Sequence, residues 1–337
     1  MRDFSPSLPE LRTAVDVELH RFLDDRFKAV PDAADLIDEI ARVISAGGKR
    51  LRPAFCYWGF RAAGGRHGPA IVRAAASLEL LHTFAIVHDD IMDDSDERRG
   101  EPTVHVRHGL GFALLTGDLA LVLADALFFS AGFDPAVVLR AFGAYSLMRQ
   151  EVIAGQHLDV KHASRIDMSE QEARHIAVLK SGRYSIEKPL VIGALLADAP
   201  GGLVAGLSAF GDPLGEAFQL RDDLLGSFGD RSSLGKPVDS DIREGKRNVL
   251  FAATARLLNG SDREFFVSRW GAGESLTADN VQHLRDLVER SGARAVAEEM
   301  LRARADEAAS AIVGLDVDDQ ARSALRALAH EATDRDF

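Results

Sequence analysis

The chain has 337 residues, 46% hydrophobic and 27% charged, a composition typical of a globular protein that can bury a large core. Its formal net charge of −12 argues against a nucleic-acid partner, because binding to a phosphate backbone normally requires a basic face. Cys56 is the single cysteine, so an internal disulfide is excluded and a reducing, cytoplasmic location is expected.

The sequence predicts no signal peptide and no membrane anchor. Charged and apolar residues alternate at the N-terminus without a continuous hydrophobic block. The two longest apolar stretches, 110–133 and 189–210, are interrupted by aspartates, and the second also contains an Ala-Pro-Gly-Gly break. Neither stretch therefore has the uninterrupted apolar length that a membrane span needs.

Apolar residues recur at helical spacing along the chain, and no run alternates strictly with β-branched enrichment. Ser7 and Pro9 predict a helix start, and that helix runs to about residue 29. Further helices are predicted over 32–46, 52–63, 67–93, 109–131, 135–160, 168–198, 202–227, 244–259, 276–290, 293–314 and 317–333. The breaks are short and no fixed-period repeat is present, so residues 1–337 are predicted to form one large all-α domain.

The first segment with chemical character is GGKRLRP, residues 47–53. One interpretation is a basic loop between two helices, with the glycines ending one helix and the proline opening the next. The other is an anion site, because Lys49, Arg50 and Arg52 beside a helix N-terminus suit a diphosphate. Isolated cations follow later in the chain at Lys180, Lys236 and Lys246.

The segment HDDIMDDSDERRG, residues 88–100, contains six acidic side chains and then two arginines. Asp89 and Asp93 are four residues apart on a predicted helix, so both carboxylates project from one face, roughly 6 Å apart along the axis. Like charges at this spacing repel, and Mg²⁺ relieves the repulsion by using one or two carboxylates plus substrate phosphates. A calcium-binding loop beginning at Asp94 is excluded, because arginines occupy its fifth and sixth positions.

A second acidic pair, Asp222 and Asp223, ends another apolar helix in FQLRDDLLG. One such pair alone is typical of a solvated helix end. Two pairs, each at the end of a long apolar helix, are unusual. Together with the basic segment at residues 47–53, they indicate separate basic and acid-plus-metal sites, as expected for a protein that binds two diphosphates in different ways.

Several segments occur in the order and spacing of the polyprenyl synthetase family, and the chain resembles its trans-isoprenyl diphosphate synthases from about residue 38 to 251. These segments are GGKRLRP, LELLHTFAIVHDDIMDDSDERRGEPTVH, GQHLD, LKSGRYSIEKPLVIGA, FQLRDDLLG and LGKPVDSDIREGKRNVL. The resemblance implies an all-α isoprenoid synthase-type bundle around a central cavity. It also implies a prenyltransferase that condenses isopentenyl diphosphate with dimethylallyl, geranyl or farnesyl diphosphate.

The resemblance further implies a role for each matching residue. Asp89 and Asp93, assisted by Asp90, would bind Mg²⁺ on the allylic diphosphate. Asp222, supported by Asp223, would bind a further Mg²⁺. Each site would hold three ions. The allylic diphosphate would be contacted by Arg98, Lys180 and Lys236, with Lys246 closing the site. Isopentenyl diphosphate would be bound without metal by Lys49, Arg52, His82 and Arg99. Polar positions beside the reacting carbons match Ser181 and Gln219.

Three positions depart from the family pattern. The second acidic motif commonly reads DDxxD, but Gly226 stands at its last position and Asp230 follows only later. We therefore expect metal binding to persist with an altered outer shell. Asp239 and Asn248 stand where the family often has Gly and Thr, which leaves the detail of the closing loop open.

Two other classes of protein share some of these features. A class I terpene cyclase also ionises its substrate with Mg²⁺ but needs no isopentenyl site, and a non-catalytic subunit of a heteromeric synthase would be expected to lose acidic or basic ligands. The retained basic segment and both acidic pairs favour a synthase. The resemblance also predicts a homodimer, with weak support from the apolar segment 110–127.

Product length is predicted from the residues that precede Asp89. Phe84 and Ala85 lie one turn or slightly more before it, so a growing chain anchored at the metal must pass them. We call these two residues the chain-length floor. In the family an aromatic followed by a small residue here goes with a twenty-carbon product, which predicts geranylgeranyl diphosphate, with farnesyl diphosphate as the alternative. Plain core packing of Phe84 is the other interpretation.

Overall fold

The computed structural model describes residues 6–229 and 239–333, and helices dominate it, which confirms the predicted all-α class. The first helices are α1 (Leu8–Ala29), α2 (Ala34–Ser45), α3 (Leu51–Ala62), α4 (Pro69–Met92), α5 (Val104–His108), α6 (Leu110–Phe129) and α7 (Pro135–His162). They are followed by α8 (Glu170–Ala177), a π-helix (Val178–Glu187), α9 (Lys188–Leu196), α10 (Gly201–Phe228), α11 (Ser240–Glu244), α12 (Val249–Leu257), α13 (Gly260–Arg269), α14 (Ala278–Ser291), α15 (Ala293–Val313) and α16 (Asp319–Thr333). Short 3₁₀ turns lie at Pro31–Ala33 and Gly273–Ser275.

A two-residue antiparallel hairpin, β1 (Glu97–Arg98) and β2 (Glu101–Pro102), interrupts the helical pattern. The sequence analysis did not predict it, because strands this short show no alternation. The turn between the strands consists of Arg99 (φ 56°) and Gly100 (φ 79°). Two successive positive φ angles give the twist that two-residue hairpins favour.

The helix starts follow local chemistry. At α1, Ser7 Oγ accepts a hydrogen bond from the backbone N–H of Glu10, and the Glu10 carboxylate accepts from the backbone N–H of Ser7. This reciprocal cap satisfies two N–H groups that would otherwise lack partners. The predicted helix over 168–198 is instead three elements, because a π-helix separates α8 from α9. Apolar periodicity does not distinguish the two helix types.

The chain divides into two compact units. Unit 1 comprises residues 1–147, 185–208 and 314–328, and unit 2 comprises residues 148–184, 209–313 and 329–337. In unit 1, helices α1, α2, α3, α6 and α9 pack against α4. Because α4 is covered on most sides, it is apolar around most of its circumference. The prediction of one domain over residues 1–337 stays a prediction.

In unit 2, helices α8, α13, α14 and α15 pack against α12. Phe251 of α12 contacts Phe266 and Trp270, with ring centroids 5.6 and 5.9 Å away. Leu220 and Leu224 of α10 belong to the same buried cluster. This packing fixes the C-terminal half of α10, which carries the second acidic pair.

Two helices, α4 and α6, are long and apolar enough to cross a membrane by length and composition alone. The apolar window of α4 is 78% buried, which is typical of a core helix in a soluble protein. The window of α6 is 44% buried, so much of its apolar surface is exposed in the monomer.

Candidate active site

The first acidic motif lies at the C-terminal end of α4. Asp89 and Asp93 are both partly exposed, and Asp93 caps the helix, with its backbone N–H donating to the Asp89 carbonyl at 2.8 Å. The last turn of α4 carries no basic residue, and the free carbonyls of a helix end add partial negative charge. The end of α4 therefore concentrates negative potential, as a cation site requires.

Asp90 has a different environment from its neighbours in the motif. It is 3% exposed, and Arg98 Nε donates to its two carboxylate oxygens at 2.8 and 2.9 Å, while Arg98 Nη2 donates to Oδ1 at 2.5 Å. Arg98 Nη2 also lies 3.8 Å from Asp89 Oδ2. Since a forked pair of this kind fixes both partners, Asp90 holds Arg98 beside the Asp89 carboxylate. The role of Asp90 in Mg²⁺ binding, which the family resemblance implies, stays a prediction.

The basic segment at residues 47–53 begins in the turn between α2 and α3, and its last three residues form the start of α3. Lys49 is exposed, and Arg52 Nη2 donates to the buried hydroxyl of Ser185 at 2.8 Å. Arg50 differs from the prediction, because its side chain is only 5% exposed and is paired with Asp16 and Glu79. Arg50 is therefore committed to internal ion pairs, which favours a structural role for this residue over a place in the anion site.

His82 lies among arginines of unit 1. Burial and the positive charges of nearby arginines, foremost Arg52 and Arg99, hold the pKa of His82 well below its usual range. The ring is therefore neutral at pH 7, with one nitrogen that donates and one that accepts. Burial also lowers the pKa of Arg99, against the opposing influence of the Glu79 carboxylate. The structure thus brings Arg52, His82 and Arg99 into one electropositive cluster.

The second acidic pair lies on α10 in unit 2. Asp223 is 6% exposed and accepts a hydrogen bond from Gln219 Nε2 at 2.7 Å, whereas Asp222 is partly exposed. Burial raises the pKa of Asp223 well above its usual range, and the charges of Asp241, Asp222 and Asp159 add to that increase. Several carboxylates therefore crowd this part of unit 2.

The two acidic motifs fit Mg²⁺. Among the described residues, Asp223 Oδ2 is a buried oxygen that accepts no hydrogen bond, a state that a bound cation would relieve. Over residues 6–229 and 239–333, no three His, Cys, Asp or Glu side chains are grouped closely enough to hold a metal ion by themselves. Mg²⁺ suits this arrangement, because it prefers carboxylate oxygens and usually completes its coordination with water and substrate phosphates.

Gly226, the departure in the second motif, lies against Asp241. A Cβ atom at position 226 would lie 2.5 Å from Asp241 Cγ, so only glycine leaves room for this carboxylate. The Asp241 charge is the largest electrostatic contribution to the raised pKa of Asp223, after burial. Asp241 therefore brings a carboxylate to the place where Asp would stand in a complete DDxxD motif. Sequence reasoning missed it, because the two positions are 15 residues apart.

Lys180 and Ser181 lie in the π-helix, a conformation that is rare and frequent at functional sites. Lys180 Nζ forms an ion pair with Asp159 Oδ2 at 2.6 Å, and Ser181 is partly exposed. Asp159 ends the segment GQHLD, to which the sequence analysis assigned no individual role. It is the second residue that sequence reasoning missed, and it holds the Lys180 ammonium group in place.

The two departures in the closing loop are compensated locally. Asp239 adopts a left-handed backbone (φ 70°), the conformation that glycine tolerates best. Its carboxylate accepts from Arg243 Nε at 3.1 Å and from Arg285 Nη2 at 3.3 Å, which stabilises that conformation. Asn248 caps α12, since its side chain accepts from the backbone N–H of Phe251 at 3.1 Å.

The predicted site residue Lys236 lies outside the described residues, as does Asp230, the later aspartate noted after the second acidic motif. Lys246 is described, and its Nζ lies 3.5 Å from Glu244 Oε2. The backbone of Lys246 is also fixed, because its N–H donates to the Asp241 carbonyl and its carbonyl accepts from Trp270 Nε1 at 3.1 Å. The ammonium group of Lys246 therefore extends from an ordered turn.

The chain-length floor, Phe84 and Ala85, lies on α4 in unit 1. Phe84 is 9% exposed and packs edge-to-face on the His88 ring, with centroids 4.9 Å apart. His88 lies over Gly117 of α6, where a Cβ atom would overlap the ring, and its Nε2 is 3.2 Å from the Leu114 carbonyl oxygen. His88 thus supports Phe84, a contact that the sequence analysis did not identify.

Comparisons with known proteins identify the family and the fold of this chain. Residues 34–288 match the Polyprenyl synthetase family. The chain is 37% identical over 266 residues to geranylgeranyl diphosphate synthase of Sulfolobus acidocaldarius, covering 77% of this chain and 78% of that protein. It is 35% identical over 303 residues to (2E,6E)-farnesyl diphosphate synthase of Mycobacterium tuberculosis, covering 88% and 83%. Its fold matches geranylgeranyl pyrophosphate synthase of Corynebacterium glutamicum, solved with isoprenyl diphosphate and magnesium, with TM-score 0.94, 32% identity and coverage of 98% and 100%.

Proposed function

Because the chain belongs to the polyprenyl synthetase family, we propose that it condenses isopentenyl diphosphate with an allylic diphosphate to give a trans-polyprenyl diphosphate. One observation carries the proposal: unit 1 holds both a carboxylate pair suited to metal, Asp89 and Asp93, and a separate basic cluster, Arg52, His82 and Arg99. A protein that binds two diphosphates in different ways needs both. A terpene cyclase needs only the carboxylate pair.

The allylic diphosphate is bound through metal in this proposal. Bound Mg²⁺, three ions per site, would neutralise charge on the departing diphosphate. Asp89 and Asp93 would hold ions on one motif, and Asp222, with Asp223 beside it, would hold a further ion. Arg98, fixed by Asp90, donates to the diphosphate oxygens. Further cations for this diphosphate are Lys180, Lys236 and Lys246.

Isopentenyl diphosphate is bound without metal. Lys49, Arg52 and Arg99 donate charge-assisted hydrogen bonds to its phosphates, and the neutral ring of His82 donates one more. The carbon–oxygen bond to diphosphate breaks first and leaves an allylic carbocation, and the double bond of isopentenyl diphosphate then attacks that carbon to form the new carbon–carbon bond. The proton that is lost goes to the departing diphosphate, so no carboxylate serves as general base. Ser181 and Gln219 are the polar residues beside the reacting carbons.

Geranylgeranyl diphosphate is the main product in this proposal. Phe84, with the small Ala85 beside it and His88 supporting it, limits the length of a chain that grows from Asp89. The similarity to a geranylgeranyl diphosphate synthase supports twenty carbons. Farnesyl diphosphate is the alternative, since the chain is also 35% identical to a farnesyl diphosphate synthase.

We further propose that the protein is a cytoplasmic homodimer without a membrane anchor or nucleic-acid partner. Helix α6 exposes a row of large apolar side chains on one face, with Leu115 57%, Val122 61% and Phe129 48% exposed. A second copy of the same chain covers this surface, because apolar patches of this kind mark interfaces.

The activity is tested with purified protein, labelled isopentenyl diphosphate and each allylic starter, in Mg²⁺ or in EDTA. We expect label to enter an elongated diphosphate in Mg²⁺ and none in EDTA. Conversion of an allylic diphosphate alone into a cyclic hydrocarbon would indicate a cyclase instead. Turnover that appears only after a second protein is added would indicate a non-catalytic subunit.

A further inference from the structure

Arg50 is the middle cation of the basic segment, yet its side chain lies in the interior of unit 1. It adopts a left-handed backbone (φ 53°) and is 5% exposed, between the exposed Lys49 and the partly exposed Arg52. A left-handed backbone is costly for a residue with a Cβ atom, so it persists only where surrounding contacts hold it. The contacts of the Arg50 side chain therefore determine the conformation of the turn.

All three guanidinium nitrogens of Arg50 donate to fixed partners. Nε donates to Asp16 of α1 at 2.8 Å, and Nη2 donates to the carbonyl of Ile44, near the end of α2, at 2.8 Å. Nη1 donates to Glu79 of α4 at 3.0 Å and to the Gly47 carbonyl at 3.4 Å. Glu79 is 4% exposed. One buried side chain thus joins α1, α2 and α4 to the turn that precedes α3.

Arg99 lies against the same turn. Its Nη1 donates to the Gly47 carbonyl, the acceptor that it shares with Arg50. A Cβ atom at Gly48 would lie 3.1 Å from Arg50 Nη1 and 3.2 Å from Arg99 Nη2, so both guanidinium groups contact the backbone of the turn. Two positive charges this close repel each other, and the buried carboxylate of Glu79 offsets that repulsion.

We propose that Arg50 and Glu79 form a positioning pair for the isopentenyl diphosphate site. Arg50 fixes the turn that carries Lys49 and leads into the first turn of α3, which carries Arg52. Glu79 holds Arg50 in place, and its negative charge allows Arg99 to lie beside Arg50. Neither residue of the pair contacts the substrate. The inference rests on the proposed function, since it assigns the pair to one substrate of that reaction.

Arg50→Lys tests the pair, because it keeps the charge but loses the fork that reaches several partners at once. Affinity for isopentenyl diphosphate is measured by calorimetry in EDTA, and the KM of each substrate is measured in Mg²⁺. We expect the dissociation constant and KM for isopentenyl diphosphate to rise about tenfold, while the allylic KM changes by less than about twofold.

The matched control is Arg61→Lys. Arg61 is 7% exposed, donates to the Gly65 carbonyl at 2.8 Å and lies at the far end of α3. The Arg61→Lys variant should bind isopentenyl diphosphate with the affinity of the wild type. If Arg50→Lys does not fold, Asp16→Asn replaces it, since the Asp16 side chain is 41% exposed. That variant should raise the same dissociation constant about threefold.

An unchanged dissociation constant in the variant that folds, or equal increases in both KM values, would overturn the positioning role. So would a matching loss of affinity in Arg61→Lys. Calorimetry without metal also separates this inference from the proposed function. A wild type that binds isopentenyl diphosphate but makes no product refutes the proposed function, while the effect of Arg50→Lys on binding still tests the pair.

Discussion

Asp89 and Asp93 on α4, and Asp222 and Asp223 on α10, place like charges within one helical turn of each other. Carboxylates four residues apart, as Asp89 and Asp93 are, repel each other, and burial together with nearby carboxylates disfavours the negative charge of Asp223, so a bound cation would stabilise both motifs. We expect Asp89→Ala or Asp222→Ala to reduce turnover by at least about a hundredfold, because charge on the departing diphosphate would no longer be neutralised. Steady-state kinetics measures the loss, and circular dichroism should show unchanged helix content.

The control for these two variants is Asp96→Ala. Asp96 is an exposed residue of the first motif to which no metal role is assigned. It should change turnover by less than about twofold, as surface substitutions usually have small effects. Full activity of the Asp89 or Asp222 variant, or undiminished activity of the wild type in EDTA, would refute the metal assignment.

The second prediction concerns Gly226, which lies against the Asp241 carboxylate. Gly226→Ala places a methyl group 2.5 Å from Asp241 Cγ and so displaces that carboxylate. Because alanine favours a helix by about 1 kcal/mol over glycine, the melting temperature should not fall. Mg²⁺ affinity should nevertheless weaken about tenfold, as measured by the Mg²⁺ dependence of turnover and by calorimetry.

Gly202→Ala is the matched control for Gly226, because it lies on the same helix and a Cβ atom there would contact nothing within 4 Å. It should leave Mg²⁺ affinity unchanged. If Gly226→Ala binds Mg²⁺ as the wild type does, Asp241 has no part in the metal environment.

Residue type alone did not distinguish Arg50 from Lys49 and Arg52. The three are close in sequence and all cationic, but the left-handed backbone at Arg50 directs its side chain to Asp16 and Glu79. Those acids are 34 and 29 residues away, so only the packing of α1 and α4 identifies them as partners. The acidic pair Asp89 and Asp93 was predictable, because its spacing lies within one helix.

Helix α4 joins Asp89, a proposed metal ligand, to the proposed chain-length floor. Phe84→Ala removes the ring that packs on His88. We expect products longer than those of the wild type, together with a loss of about 3–5 kcal/mol in the free energy of unfolding. Chromatography of the dephosphorylated products measures the first effect, and denaturant titration the second.

Phe128→Ala, at a fully buried ring of α6, is the control for Phe84. It should destabilise the protein by a similar amount without changing product length. If Phe84→Ala also loses stability and makes products of wild-type length, Phe84 is a packing residue and the floor assignment is wrong.

The long helices could be predicted because apolar spacing, proline and capping residues mark them within their own sequence. The hairpin at residues 97–102 could not, since two-residue strands show no periodicity and the positive φ at Arg99 is not typical of arginine. The π-helix at Val178–Glu187 and the separate helices α11 and α13 were also missed. Their limits depend on contacts with other elements, which a local pattern does not contain.

At the scale of the whole molecule, the exposed apolar row on α6 predicts a dimer. Light scattering at micromolar concentration should give twice the chain mass. Leu115→Lys with Val122→Lys should give the monomer mass, because it places charges on that row. Val313→Lys, at an exposed apolar residue of α15, should leave the dimer intact. A monomeric wild type would contradict the homodimer. If the wild type binds lipid vesicles and the α6 double variant does not, the apolar row is a membrane-binding surface instead.

The chain length of the wild-type product depends on both diphosphate sites and on the chain-length floor, so measuring it tests all three together. Purified protein is incubated with isopentenyl diphosphate, Mg²⁺ and each allylic starter in turn, and the dephosphorylated products are separated by chromatography against standards of known length. Two diphosphate sites and a floor at Phe84 and Ala85 together predict twenty carbons as the main product from every accepted starter. A main product of fifteen carbons, or of thirty or more, would contradict the floor, and the absence of any elongated product would contradict the proposed reaction itself.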